Sequence, residues 1–158
     1  MAHYKFETKW VFDASSSATM DQVWDVLRSH EYEKWWEGVK AKVLESGDES
    51  GIGELRESFF KTKLPYTLSF KNRLTALEKP HLIQLEAYGE LEGTGTYHIS
   101  KSNKLIEVIY IWDVITTKHW MNIMAPIMRP MFKWNHDQVM HQGAVGLAKH
   151  LNMKLVQG

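Results

Sequence analysis

Residues 91–116 read LEGTGTYHISKSNKLIEVIYIWDVIT, and their period decides the fold. Successive side chains of a strand point to opposite faces. Between 104 and 116 one face carries Ile106, Val108, Tyr110, Trp112 and Val114, and the other carries Leu105, Glu107, Ile109, Ile111, Asp113 and Ile115. Two acids point the second set to solvent or a partly covered edge, which leaves Tyr110 and Trp112 as interior residues, in ordinary core packing or lining a cavity, each needing a partner for its polar atom. Between 91 and 100 the same alternation groups Leu91, Gly93, Gly95, Tyr97 and Ile99, with His98 on the opposite face. Ser102-Asn103 is a turn too short for a parallel crossover, so the two strands pair antiparallel.

Working upstream, the period stays at two over 39–46, 53–61, 66–77 and 81–88, with breaks at Gly47-Asp48, Leu64-Pro65, Lys79-Pro80 and Gly89. Six consecutive strands form a meander with one face to cover. A first strand over 4–12, alternating Tyr4, Phe6, Thr8, Trp10 and Phe12 with polar residues, joins it at an edge. Thr19 and Gln22 make a capping box for a helix over about 19–29, with Val23, Trp24, Val26 and Leu27 as its apolar stripe. Tyr32, Trp35 and Trp36 mark a second short helix over 31–37 that ends at Gly38 and either anchors to the sheet or forms a ligand mouth.

Downstream, the cover is a long C-terminal helix. Proline fits a first helical turn and not an interior, so Pro126 and Pro130 predict a start near 125–130, with 118–124 as a separate lead-in. From there Phe132, His136, Met140, Gly143 or Ala144, Leu147 and Leu151 fall on one face. Gly143 and Gly146 weaken this helix by up to about 1 kcal/mol each relative to alanine, for which close approach of a strand is the expected compensation. The fold class is α+β in a single domain over 1–158.

Composition narrows the function. A chain of 158 residues with 44% hydrophobic and 24% charged residues is long enough and apolar enough to bury a core. Lysine plus arginine and aspartate plus glutamate both count 19, so no whole-protein field draws in nucleic acid or an anionic membrane, which leaves only local patches. Eight histidines make the protein cationic in mild acid, and the absence of cysteine excludes disulfides, thiol nucleophiles and cysteine-ligated metals. No apolar run approaches the roughly 18 residues of a membrane span, and the default location is cytoplasmic.

No phosphate loop, GxGxxG, HExxH, GxSxG or calcium loop is present. Gly93 and Gly95 lie in a strand–turn–strand context, where missing side chains leave room for a bend or a ligand. If Leu55 and Phe59 face inward, Glu57 goes with them and becomes a candidate acid or base; the alternative is a salt bridge or an open rim. His136 shares the apolar stripe of the last helix and is either a hydrogen-bonded core residue or a second acid–base candidate. His136 and His141 are five apart and diverge on a helix, so no zinc site forms there.

The order of a strand, two small helices, a six-stranded meander and a long C-terminal helix resembles the helix-grip fold of the START/Bet v 1-like (SRPBCC) superfamily, which includes polyketide cyclase/dehydrase-like proteins. The resemblance is carried by residues 18–27, 32–39, 91–97, 110–114 and 132–137 with Met140 and 143–147, and its layout covers nearly the whole chain. It implies an antiparallel curved sheet of about seven strands gripping the last helix around a hydrophobic cavity. The cavity residues it implies are Glu57, Tyr97, Tyr110, Trp112, Phe132, His136 and Met140; it implies neither a cofactor nor a shared catalytic set. Three functions follow as expectations. The first is binding of a small apolar or aromatic ligand. The second is cyclase or dehydratase chemistry with Glu57 or His136 as acid or base. The third is a protein-interaction or co-chaperone module using Leu105, Ile109, Ile111 and Ile115 on the outer sheet face. Whether the chain is a monomer or a homodimer is not legible.

Overall fold

The structure, a computed structural model, describes residues 2–15, 18–63 and 67–158. Its strands are β1 (His3–Asp13), β2 (Val39–Glu45), β3 (Leu55–Lys61), β4 (Thr67–Glu78), β5 (Leu82–Gly89), β6 (Leu91–Ser102), β7 (Leu105–Thr116) and β8 (Lys154–Gln157). They form one antiparallel sheet in the order β2-β3-β4-β5-β6-β7-β1-β8. Every strand expected from alternation is present; the Leu64-Pro65 break lies outside the described residues. β8 was not anticipated, because four residues after a helix carry too little pattern. Its presence moves β1 inward from the edge, to a place between β7 and β8.

Helix α1 (Met20–Arg28) starts on the expected capping box: Thr19 Oγ1 accepts from the Gln22 amide at 3.2 Å, and the Gln22 side chain accepts from the Thr19 amide at 2.9 Å. The second early helix is shorter than expected, a single 3-10 turn at Tyr32–Lys34. Three aromatics in five residues pull this segment onto the core, and Trp35 and Trp36 are both buried.

Helix α2 runs unbroken over His119–His150, so the expected start near 125–130 is corrected. Pro126 and Pro130 sit one turn apart on the exposed side. The carbonyls of Asn122 and Pro126, which lose their amide donors, therefore turn toward water rather than the core. The glycine expectation also changes. An added Cβ at Gly146 would lie 1.7 Å from the Trp35 carbonyl oxygen, and one at Gly143 would lie 2.7 Å from the Trp36 indole. The close neighbour is the tryptophan turn, not a strand. Trp36 Nε1 secures this contact by donating to the Val139 carbonyl at 2.9 Å.

Candidate functional site

Between the concave sheet face and α2 lies a cavity of about 130 Å³. Its floor is an aromatic series. Tyr97 and Tyr110 are register partners across β6 and β7, and their rings stack with centroids 4.3 Å apart. Tyr110 continues to Trp112 at 6.1 Å, Trp112 to Phe70 at 5.3 Å, and Phe70 to Phe60 at 5.4 Å. Such pairs contribute about 0.5–1.5 kcal/mol each beyond area burial, so the floor is rigid. Phe132, His136 and Met140 form the helix wall at the expected spacing.

Burial sets the protonation states. Desolvation raises the Tyr97 and Tyr110 phenols well above their ordinary value, with no cation close enough to reverse it, so both stay neutral donors. Desolvation likewise lowers His136 to about 4, although neighbouring Asp137 pulls the other way. His136 is therefore a neutral imidazole at pH 7. Its Nδ1 lies 3.8 Å from Asp137 Oδ1, beyond hydrogen-bonding distance, and neither ring nitrogen has a hydrogen-bond partner. Asn135 Oδ1 and the Tyr4 hydroxyl are buried and unpartnered in the same way. Phe6 links this polar end, with its ring 4.6 Å from that of His136 and 5.9 Å from that of Tyr4.

Of the sequence-predicted site residues, Tyr97, Tyr110, Trp112, Phe132, His136 and Met140 all line the cavity. Glu57 does not, and its inward placement is corrected: Arg56, Ser58 and Phe60 take the inner face of β3. The reason is charge matching on both faces. Outside, Glu57 lies in register between Lys42 and Lys71. Inside, Arg56 Nε donates to Glu54 at 2.6 Å, Nη1 to the Tyr32 hydroxyl at 3.3 Å, and Nη2 to the Arg28 carbonyl. A fully buried arginine with these partners ties β3 to α1 and the 3-10 turn.

Gly93 and Gly95 also stay out of the cavity lining. A Cβ at Gly95 would stand 2.8 Å from the Tyr110 hydroxyl and 3.0 Å from the Trp112 ring, so those side chains already fill its space. Gly93 has φ +152°, and a Cβ there would press to 2.1 Å from the Asp113 carbonyl oxygen. Both glycines shape the floor from beneath.

Sequence reasoning missed Tyr4, Phe6 and Asn135, together with the buried pair in which Asn72 Nδ2 donates to Ser58 Oγ at 2.7 Å. The alternation of β1 had grouped Tyr4 with Phe6, but only tertiary packing sets them against α2. Among the described residues no cluster of histidine, aspartate or glutamate is arranged to hold a metal. On the outer sheet face only Leu105, of the four apolar residues considered for an interaction patch, is strongly exposed. Lys9, paired with Glu107 at 3.1 Å, and His3, paired with Asp113 at 2.5 Å, break up that face.

The same layered arrangement is found in solved structures. The Zhui aromatase/cyclase from Streptomyces sp. R1128 superposes with a TM-score of 0.74 at 12% identity, covering 96% of this chain and 94% of that one. The chain has the helix-grip fold. A protein from Thermus thermophilus matches with a TM-score of 0.70 at 8% identity, over 93% of this chain and 99% of the other. The di-domain aromatase/cyclase StfQ of the steffimycin biosynthetic pathway matches at 0.66 and 10% identity, with 95% of this chain spanning 52% of that protein. No family model matches the chain, and no curated protein matches its sequence. At these identities the helix-grip likeness is one of architecture, and the chemistry must be argued from the cavity.

Proposed function

We propose that the protein binds a small apolar or aromatic molecule carrying one polar group, in the cavity between sheet and α2. The observation that carries this reading is the asymmetry of the lining: a floor built mainly of aromatic rings, where Asn72 and Ser58 are already bonded to each other, and one end where Tyr4 Oη, Asn135 Oδ1 and the His136 nitrogens are buried without partners. An unsatisfied buried polar atom costs about 1–3 kcal/mol, and a ligand hydroxyl or carbonyl would recover part of that. Size sets the ligand class. An engineered cavity of about 150 Å³ holds one benzene, so 130 Å³ suits a single ring or a short branched chain. A polycyclic ligand requires α2 to move outward. The cyclase and aromatase names of two structural neighbours are compatible with an aromatic ligand.

The enzymatic alternative keeps one of its two acid–base groups. Glu57 faces out, and His136, held neutral with its conjugate acid near pH 4, is a weak base for removing a carbon-bound proton. Binding is therefore favoured over turnover.

Calorimetric titration with p-cresol and with toluene tests the proposal. The expected result is saturable binding of both, with p-cresol about two- to thirteenfold tighter, as one recovered hydrogen bond of about 0.5–1.5 kcal/mol requires. Met140→Trp, which fills the cavity, abolishes it. Absence of saturable heat for either compound with the folded wild-type protein refutes the reading.

A further inference from the structure

The polar end of the cavity is held in place by ring contacts instead of hydrogen bonds. The Tyr4 ring packs against Phe132, with centroids 5.7 Å apart, and against Phe6, at 5.9 Å, while the Arg129 guanidinium lies 4.6 Å from its centroid. Phe6 packs in turn on the His136 imidazole at 4.6 Å, and Asn135 precedes His136 on α2. Rings packed in this way cannot swing aside to find other partners, so the hydrogen-bonding character of this end is fixed.

That character is mixed. An amide oxygen only accepts, a neutral imidazole accepts at one nitrogen and donates from the other, and a phenol does both. Asn135 Oδ1 and one His136 nitrogen are therefore buried acceptors with nothing donating to them, while the other His136 nitrogen and the Tyr4 hydroxyl are free to donate. A ketone, an ether or a carboxylate brings lone pairs alone and leaves both acceptors unpaired. A hydroxyl donates to one of them and accepts from a donor beside it.

Charge points the same way. Among the described residues no lysine, arginine, aspartate or glutamate lines the cavity. The ions beside its polar end are engaged elsewhere: Arg129 donates to the His3 carbonyl at 2.7 Å, and Asp137, 3.8 Å from His136 Nδ1, pairs with Lys133 at 2.7 Å. The fully buried Arg56 is bonded through all three of its nitrogens, to Glu54, the Tyr32 hydroxyl and the Arg28 carbonyl. An ionised ligand would lose its hydration here and meet no free counter-charge.

We infer, resting on the binding reading above, that the cavity selects an uncharged hydroxyl compound, a phenol or an alcohol, over an aldehyde or ketone of the same size and over carboxylates. Asn135 sets this preference, because its oxygen can be satisfied only by a ligand that donates.

Benzyl alcohol, benzaldehyde and benzoate share one ring and one substituent carbon and differ in the group they offer, so calorimetric titration with the three at neutral pH reads the preference. Benzyl alcohol is expected to bind about fivefold or more tighter than benzaldehyde, which leaves a buried acceptor unpaired, and about a hundredfold or more tighter than benzoate. In Asn135→Leu, of similar volume and without the acceptor, the advantage of the alcohol over the aldehyde is expected to shrink about threefold or more. A merely structural role for Asn135 would weaken both ligands alike. The wild-type comparison decides by itself if the variant does not fold. Saturable binding of p-cresol or toluene, together with equal affinities for benzyl alcohol and benzaldehyde or with benzoate bound as tightly as the alcohol, overturns the inference and leaves the binding reading standing. An undiminished advantage in folded Asn135→Leu overturns the role of Asn135. No saturable heat from any of the five compounds overturns the inference and the binding reading together.

Discussion

His136 shows how burial sets the behaviour of a single side chain. Its folded value near 4 lies below the unfolded value near 6.5, so below pH 6.5 the unfolded chain takes up a proton that the folded one refuses. Stability contributed by the neutral imidazole is full above pH 6.5 and falls as the pH drops toward 4. Between pH 7 and pH 5 the loss is about 2 kcal/mol. Urea unfolding of wild type and His136→Phe at both pH values checks it: the variant should lose about 2 kcal/mol less than wild type over that interval. Gly95 is the other informative residue. The Cβ of Gly95→Ala meets the Tyr110 hydroxyl and a Trp112 ring already packed against Phe70. A destabilisation of about 1–3 kcal/mol is expected from overpacking, with weaker p-cresol binding read by calorimetry.

Elements are joined by contacts that single positions control. At Gly146 the obstacle is the Trp35 carbonyl oxygen, which is backbone and cannot rotate aside. Gly146→Ala gains up to about 1 kcal/mol of helix propensity, yet it should lose about 3 kcal/mol or more net as α2 is pushed off the tryptophan turn. Val145→Ala, on the exposed side, serves as the control in the same denaturant titration. Arg56→Ala leaves the mostly buried Glu54 with only the longer contact to Arg28 Nη1 at 3.4 Å, and releases both the Arg28 carbonyl and the Tyr32 hydroxyl. The loss expected for breaking a buried pair is about 3–5 kcal/mol, measured as a shift in unfolding midpoint at constant slope.

For the whole molecule, ligand occupancy and stability are linked. A compound that binds the folded state alone adds about 2.7 kcal/mol at 100 times its dissociation constant. For a chain of this length that raises the melting temperature by about 5–10 °C, and scanning calorimetry with p-cresol should show it in wild type but not in Met140→Trp.

The alternation over 91–116 and the capping box at Thr19 and Gln22 were enough to read the meander, α1 and the inward faces of β6 and β7, because those patterns are local and each buried face leaves a period in the sequence. The spacing of Phe132, His136 and Met140 marked one face of α2 in the same local way, and the resemblance to the helix-grip fold implied a cavity between that face and the sheet. Three features were not legible in this way. The face of β3 depends on whether Glu57 or Arg56 finds partners, and those partners, Glu54, Tyr32, Lys42 and Lys71, come from other strands and turns. The path of α2 through Pro126 and Pro130 depends on which side of the helix meets water. The polar end of the cavity depends on Tyr4, Asn135 and His136 meeting across more than a hundred residues of chain. Periodicity within a strand or helix is set by the backbone and can be read along the chain. Satisfaction of a buried charge or polar atom is set by whatever the fold brings beside it, and only the tertiary structure decides that.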